Sequence, residues 1–323
     1  MTNSPCPACH AASGLKTLRA YSATEAASYF CPPSRDPSRH TRLLDAIRQT
    51  WTGDRADILS CPACGFSFAH PHHGGNEAFY SALHEQAGYP RWRWDYDVAL
   101  SGPAFSAPAG RALDIGAGSG VFLKRLAPGW ERNALESSPV TRDMLAREGI
   151  RVHAGAADAA ASGAFDAITL FQVLEHIAPF EDLIADIHRL LRPGGHLVIT
   201  VPHGTAMNEQ EARLGAPDMP PNHVNRWTPE SLALVLRRHG LETVATLHEP
   251  DRWSLVPSRL QLAIMSAAAH SPRSLAAAVY RLRSRPLRIP ALALLACAYA
   301  LRHLPDLAWM RRGGAFALTA RKA

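Results

Sequence analysis

The sequence has little that would anchor, export or cross-link it. A bilayer-spanning helix needs about 20 consecutive apolar residues, and the longest uncharged apolar run, Ile289 to Leu301, has 13. The amino-terminal MTNSPCPACH carries no basic segment followed by an apolar core. No secretory signal is read there, and a cytoplasmic location with room for peripheral membrane attachment is expected. Cysteine is sparse, six in 323 residues. A chain of that length can bury a core without disulfide staples, so the positions of its cysteines carry the information. Acidic residues are nearly missing from one region: residues 251–323 hold 12 Lys/Arg against only Asp251 and Asp306, a balance of +10 in a chain whose net charge is +6. With 47% hydrophobic residues, a disordered or collagen-like chain is excluded.

Residues 1 to about 75 are rich in Cys, His and Pro and show no sustained period. An aromatic stretch follows, with Phe79, Tyr80, Tyr89, Trp92, Trp94 and Tyr96, and SGPAFSAPAG (101–110) reads as a linker. From Arg111 strands and helices alternate. ALDI (112–115), RNALE (132–136), IRVHA (150–154), FDAITLF (165–171), HLVITVP (196–202) and LETVATLHE (241–249) read as strands. Ser138 and Pro139 open a helix through Ala146, and Thr228 and Pro229 open another that stops at Gly240. A helix with Leu183, Ile184, Ile187, Leu190 and Leu191 on one face ends at Pro193, Gly194 and Gly195. GAFALTARK (314–322) is one more strand. About 60 Ala/Leu/Arg-rich helical residues precede it, broken at Pro257, Pro272, Pro286, Pro290 and Pro305. Such alternation predicts an α/β fold with a parallel sheet covered by helices.

Asp114, Gly116, Gly118 and Gly120 lie after a strand and before a helix, where glycines let a ligand approach the backbone and the helix start offers free N–H groups. The spacing is GxGxG, not the GxGxxG of dinucleotide folds. A GxG alone is also an ordinary tight turn. Glu136, 22 residues after Asp114 at the end of the second strand, supplies the carboxylate that can grip both hydroxyls of a ribose.

ALDIGAGSG, ALESSP, FDAITLFQVLEHI and LLRPGGHLVITVP resemble the successive motifs of class I S-adenosylmethionine-dependent methyltransferases, over residues 110 to about 245. The resemblance implies a Rossmann-like seven-stranded sheet with 314–322 as its antiparallel last strand. It also implies that Asp114, Gly116, Gly118 and Gly120 hold the methionyl part of S-adenosylmethionine, Glu136 its ribose, and that Gln172 and Val173 line the methyl-donor site. Where relatives carry an acid for adenine, this chain has Ala156, with Asp158 two residues on, so backbone groups or Asp158 take that role. The implied enzyme transfers a methyl group to an oxygen or carbon acceptor, which needs a base. His223 in PPNHVNRW is favoured, because it follows the fifth strand at the carboxyl edge of the sheet, where ligands bind. His176 in LEH is the second candidate; with 16 histidines in the chain, either can also be structural.

Cys6, Cys9, Cys61 and Cys64 form two CPAC knuckles, and four thiolates in that pattern suit tetrahedral zinc. The 51 residues between them must be a folded insertion. CPACH also matches haem attachment, but that chemistry requires export and the second knuckle continues as CPACG. A redox CxxC usually occurs singly. Cys31 and Cys297 have no partner pattern, and His10, His70, His72 and His73 are weaker substitutes as ligands. Knuckles, an aromatic segment and a methyltransferase core resemble bacterial zinc-knuckle methyltransferases of sugar, glycan, lipid and secondary-metabolite pathways, which implies Tyr80 or Tyr89 near the acceptor.

These readings divide the chain into a zinc-binding region (1–75), an aromatic helical segment and linker (76–108), a cofactor-binding core (109–250 and 312–323) and a basic helical insertion (251–311). RLQLAIMSAAAH, SLAAAVYRLRSR and PALALLACAYALRH in the insertion read as amphipathic helices with arginine on the polar side. They either cap the sheet or contact a membrane surface through 255–310 and bring the enzyme to a lipid-linked acceptor. The expected partner is a small-molecule, sugar or lipid-linked acceptor. RNA methylation is the rival reading, opposed by the absence of a Lys/Arg run in the zinc region and by LFQVLEH in place of an NPPY-type loop. A non-catalytic scaffold on the same fold is a further alternative, opposed by the intact glycines and Glu136.

Overall fold

A computed structural model of the chain describes residues 5–84, 92–136, 138–161, 163–282 and 284–323; Tyr89 lies outside the described residues. Eleven strands occur among them: β1 (Lys16–Ser22), β2 (Arg55–Ser60), β3 (Ser67–His70), β4 (Ala109–Ile115), β5 (Gly129–Leu135), β6 (Arg151–His153), β7 (Phe165–Phe171), β8 (Leu191–Pro202), β9 (Asn225–Arg226), β10 (Leu241–His248) and β11 (Ala315–Lys322).

Seven of them form one sheet in the order β10-β11-β8-β7-β4-β5-β6. The β8, β7, β4, β5 and β6 neighbours run parallel, while β11 is antiparallel to both β8 and β10. This is the Rossmann-like methyltransferase sheet expected from the motifs. The order reverses beside β4, the first core strand, so β4 and β7 open a crevice at their carboxyl ends. Ser138 caps the helix Pro139–Arg147 by accepting from the Thr141 N–H. Thr228 and Ser231 form a reciprocal capping box on Pro229–Arg238. The helix Phe180–Leu190 buries Phe180, Ile184, Ile187 and Leu190 on the sheet.

Three local expectations are revised. The helix ends at Leu190, before the Pro-Gly-Gly, because Leu191 is already extended and pairs with Phe165. The 101–110 segment is packed rather than a loose linker: Phe105 is buried, with its ring 5.3 Å from Phe122 and 4.8 Å from Trp130. Pro290 lies inside the helix Arg285–Arg302 without breaking it; the Pro286 carbonyl loses its i+4 donor and the helix continues. Finally, the amino-terminal region, without a sustained period in sequence, is regular in structure, in keeping with a folded insertion between the knuckles. Strands β1, β2, β3 and β9 form an antiparallel sheet, covered by the helices Ala23–Phe30 and Pro37–Trp51, which contribute Ala26, Leu43, Ile47 and Trp51 to one core. Strand β9 comes from the segment after β8, so the small sheet is completed by the same stretch that carries His223.

One apolar core joins the two sheets. Phe66, Phe68, Cys6 and Cys61 share it with Phe180, Trp227, Leu170 and Ile199. The Phe66 ring lies 4.5 Å from Trp227 and 5.9 Å from Phe180. On the opposite face of the large sheet, Tyr96, Phe122, Trp130 and Phe171 pack with Ala112 and Val198.

Candidate active site

The loop after β4 is built for close approach. Gly116, Gly118 and Gly120 have φ of +75°, +51° and +68°, a left-handed region that side-chain-bearing residues rarely enter. A Cβ on Gly116 would stand 2.6 Å from Val173 Cγ2, so the turn after β7 leaves no room for one. Gly118 N–H donates to Glu136 Oε2 over 3.2 Å, and Ser138 N–H donates to Glu136 Oε1 over 3.0 Å. The carboxylate of Glu136 therefore bridges the glycine loop and the start of the next helix. Asp114 is buried beneath the loop and accepts a 2.7 Å hydrogen bond from Thr169 Oγ1. Burial pushes its carboxyl up to about 7, against the opposing effects of Thr169 and Arg93. These features fit a group with an adenosyl ribose and a charged methionyl end: a cradle without side chains, an edge carboxylate and a second, buried carboxyl.

The neighbouring residues include two that sequence reading missed. Asp95 is buried, accepts from Thr200 Oγ1 over 2.7 Å and is ion-paired to Arg93. Arg93 also lies over the Tyr96 ring, 5.2 Å from its centroid. Gln172 holds a φ of +58°, rare for a residue with a side chain, and its N–H donates to the Thr200 carbonyl over 2.9 Å. Asp158 stands apart from this group, accepting from the Ala154 N–H over 3.0 Å beside His153.

Glu175, His176 and His223 meet at the end of β7, with their ligand-type atoms within 4.8 Å of one another. The short 3₁₀ turn Leu174–His176 supplies the first two. His223 arrives from the segment after β8, its ring centroid 4.7 Å from that of His176. His176 Nδ1 lies 2.7 Å from the Asn222 carbonyl and so carries the proton. His223 Nδ1 is ion-paired to Asp218. Burial opposes the charge on His223, but Asp218 outweighs it and raises the imidazole above its ordinary range. Burial acts on Asp218 in the opposite sense to His223, and the histidine wins there too, holding the carboxyl low.

Glu175 is 1% exposed, and among the described residues neither of its carboxylate oxygens has a hydrogen-bond partner. Burial pushes this carboxyl up to about 7. Buried polar groups are normally hydrogen-bonded, so a buried carboxyl whose contact is an ion pair to His176 Nε2 at 3.9 Å costs stability at this edge of the sheet. Asn225, fully buried, holds the turn in place by donating from Nδ2 to the carbonyls of Leu174 and Ile177, over 2.9 and 2.8 Å. Its Oδ1 contacts His72 Nε2 at 2.7 Å, which ties the amino-terminal region to the same turn. The Tyr80 ring stands 6.2 Å from His176. Asp218 and Asn225 carry no periodic signal; the string of polar residues in DMPPNHVNRW, just past a buried strand, was the available clue.

The two knuckles close a separate site. Sγ of Cys6 and Cys64 are 3.7 Å apart and those of Cys9 and Cys61 3.6 Å, and all four sulfurs lie within 4.8 Å of one another. A zinc ion with Zn–S bonds of about 2.3 Å has tetrahedron edges of about 3.8 Å, so the donor set fits zinc. Cys6 and Cys61 are buried in the shared core, and Arg238 Nη1 donates to the Ala8 carbonyl over 2.6 Å. The site fastens the knuckles to the large sheet's helices.

Comparison with known proteins gives a consistent result. A family model described as a methyltransferase domain matches residues 92–246. A ubiquinone biosynthesis O-methyltransferase from Xanthomonas axonopodis pv. citri is 31% identical over 166 residues, covering 45% of this chain and 70% of that protein. A demethylmenaquinone methyltransferase from Thermus thermophilus is 35% identical over 121 residues, 34% of this chain and 53% of its own length. The chain thus spans about half of that relative. Among solved structures, a SAM dependent methyltransferase from Archaeoglobus fulgidus aligns at 16% identity with a TM-score of 0.47, covering 76% of this chain and 100% of that one.

Proposed function

The chain belongs to the S-adenosylmethionine-dependent methyltransferases, and on that premise we propose that it methylates an oxygen or carbon of a small-molecule acceptor, sugar and lipid-linked compounds included, with His223 as the base. When bound, S-adenosylmethionine supplies a methyl group already activated by its sulfonium. Asp114, Gly116, Gly118 and Gly120 bind the methionyl end, Glu136 the ribose, and backbone groups or Asp158 the adenine side, while Gln172 and Val173 wall the donor position.

The remaining work is to align an acceptor and remove its proton. His223 takes that proton at Nε2, because Nδ1 is engaged by Asp218. Asp218 fixes the ring and stabilises the imidazolium that forms. His176 is held by Asn222 through Nδ1 and presents its ring to His223. Tyr80 and the buried Glu175 limit water around the pair. The observation that carries this reading is the Asp218–His223–His176 array, assembled one turn beyond the residue that packs against Gly116. The names of the relatives, both small-molecule biosynthetic methyltransferases, support a small acceptor over RNA.

The test is a pH profile of transfer from labelled cofactor into a small-molecule extract. Activity of the wild type rises with pH as His223 deprotonates. In Asp218→Asn the inflection moves to lower pH and the plateau falls, because the carboxylate that raises the imidazole is gone. An unchanged inflection removes His223 from the role of base.

A further inference from the structure

We propose that the helix Arg285–Arg302, with the arginines around it, is a docking surface for an anionic lipid bilayer. Its inner side is accounted for: Leu295, Ala296 and Tyr299 pack against the cores formed with Val256–His270. Its outer side is equally apolar and faces solvent. Leu287, Leu294 and Leu301, spaced by seven residues and so on one face, are 61%, 74% and 69% exposed. Ile289, on another side of the helix, and Leu304, beyond its end, are also exposed, at 64% and 57%. A helix that is apolar all round belongs in a core or in lipid, and here only one side has found a core.

Charge selects the occupant. The two acids of residues 251–323 are already engaged, Asp306 by Arg213 and Asp251 by Arg311. Among the described residues, Arg273, Arg281, Arg288 and Arg302 form no ion pair. Arg288 also lines a cleft of about 520 Å³ between this helix and Val256–His270, together with Arg35, Tyr280, Gln261, Ile264 and Leu292. Cationic rims around an apolar stripe match phosphate headgroups over acyl chains. The same rims repel a second copy of this chain. Among the described residues no single helix is long and apolar enough to cross a membrane. The continuation Leu304–Met310 turns away by 78° and ends in the buried Trp309 and Met310.

The surface also sits well for delivery. Leu260 and Ala263 pack against Leu214 and Ala216, two residues before Asp218, the partner of His223. Val256–His270 thus links the docking helix to the segment that carries Asp218. The docking claim does not depend on the catalytic one; either can fail alone.

Cosedimentation of the full-length protein with vesicles of phosphatidylcholine, alone or mixed with phosphatidylglycerol, tests it. The protein should pellet with the anionic vesicles, and less so as salt rises. The triple variant Leu287→Asp, Leu294→Asp, Leu301→Asp should lose binding by at least about tenfold. Arg288→Glu should lower affinity for anionic vesicles by about fivefold or more. Maleimide labelling of exposed Cys297, between Leu294 and Leu301, should slow on anionic vesicles in the wild type, a readout that needs no variant to fold. Absence of pelleting with both vesicle types, equal pelleting of the folded triple variant, or self-association abolished by the same triple substitution would each overturn the proposal.

Discussion

Buried Glu175, next to His176, and half-buried Asp218, five residues before His223, meet the same pair of histidines, and the structure treats them oppositely. Asp218 gains His223 and is held low, so its contribution to stability is present above its unfolded pKa and lost as pH falls through the folded value. His223, raised by the same contact, contributes below its unfolded pKa, and that contribution is lost as pH rises through the folded value. Glu175 gains no hydrogen bond, and desolvation raises it from 4.5 to about 7. The folded state then retains a proton that the unfolded state releases, so stability falls as pH rises across that interval. Glu175→Gln removes this dependence. Melted without cofactor, the variant should gain on the wild type between pH 5 and pH 8, by an amount on the order of 1 to 3 kcal/mol. A difference between the two proteins that does not change with pH contradicts the assignment. Asp114, raised to about 7 by burial, keeps the same sign in both proteins and leaves the comparison intact.

The elements that hold this array differ in how legible they were. The parallel core announced itself, because its first strands close on a glycine turn and a capped helix, Gly116 after β4 and Ser138 after β5. The small sheet gave no such signal. Strand β1 buries only Tyr21 of its seven residues, so it lacks alternation, and β9 is two residues long. What could be read there was the cysteine spacing, and the structure explains why it matters. Cys6 and Cys61 are part of the core that also contains Phe66, Trp227 and Phe180, while His72 reaches the active turn through Asn225. Metal analysis should find one zinc per chain, and Cys61→Ser or a strong chelator should release it. Because structural zinc contributes folding energy, loss of the metal should lower the melting temperature by several degrees and lower transfer with it. A zinc-free protein that melts and reacts like the wild type would remove the metal from this account.

At the scale of the whole molecule, the proposed catalytic array is assembled from distant stretches of chain. The glycine loop and β7 supply the proposed donor side, the segment after β8 supplies Asp218, His223 and Asn225, and the amino-terminal region meets the same turn with His72 and Tyr80. Sequence reading named the residues of the proposed donor side one by one, because they lie in contiguous motifs. It named His223 from position alone and missed Asp218, since a pairing across an irregular Pro-rich loop leaves no periodic trace. The insertion shows the same limit: its charge was evident, whereas the outward direction of Leu287, Leu294 and Leu301 depended on packing. The central claim is that this methyltransferase uses His223 to deprotonate a small acceptor, and labelled methyl transfer from S-adenosylmethionine into cell extract by wild type and His223→Asn tests it most directly. The account predicts label in the small-molecule fraction, a fall of about 10²- to 10⁴-fold in the variant, and unchanged cofactor binding by calorimetry. Label appearing in RNA, or equal transfer by the variant, would contradict it.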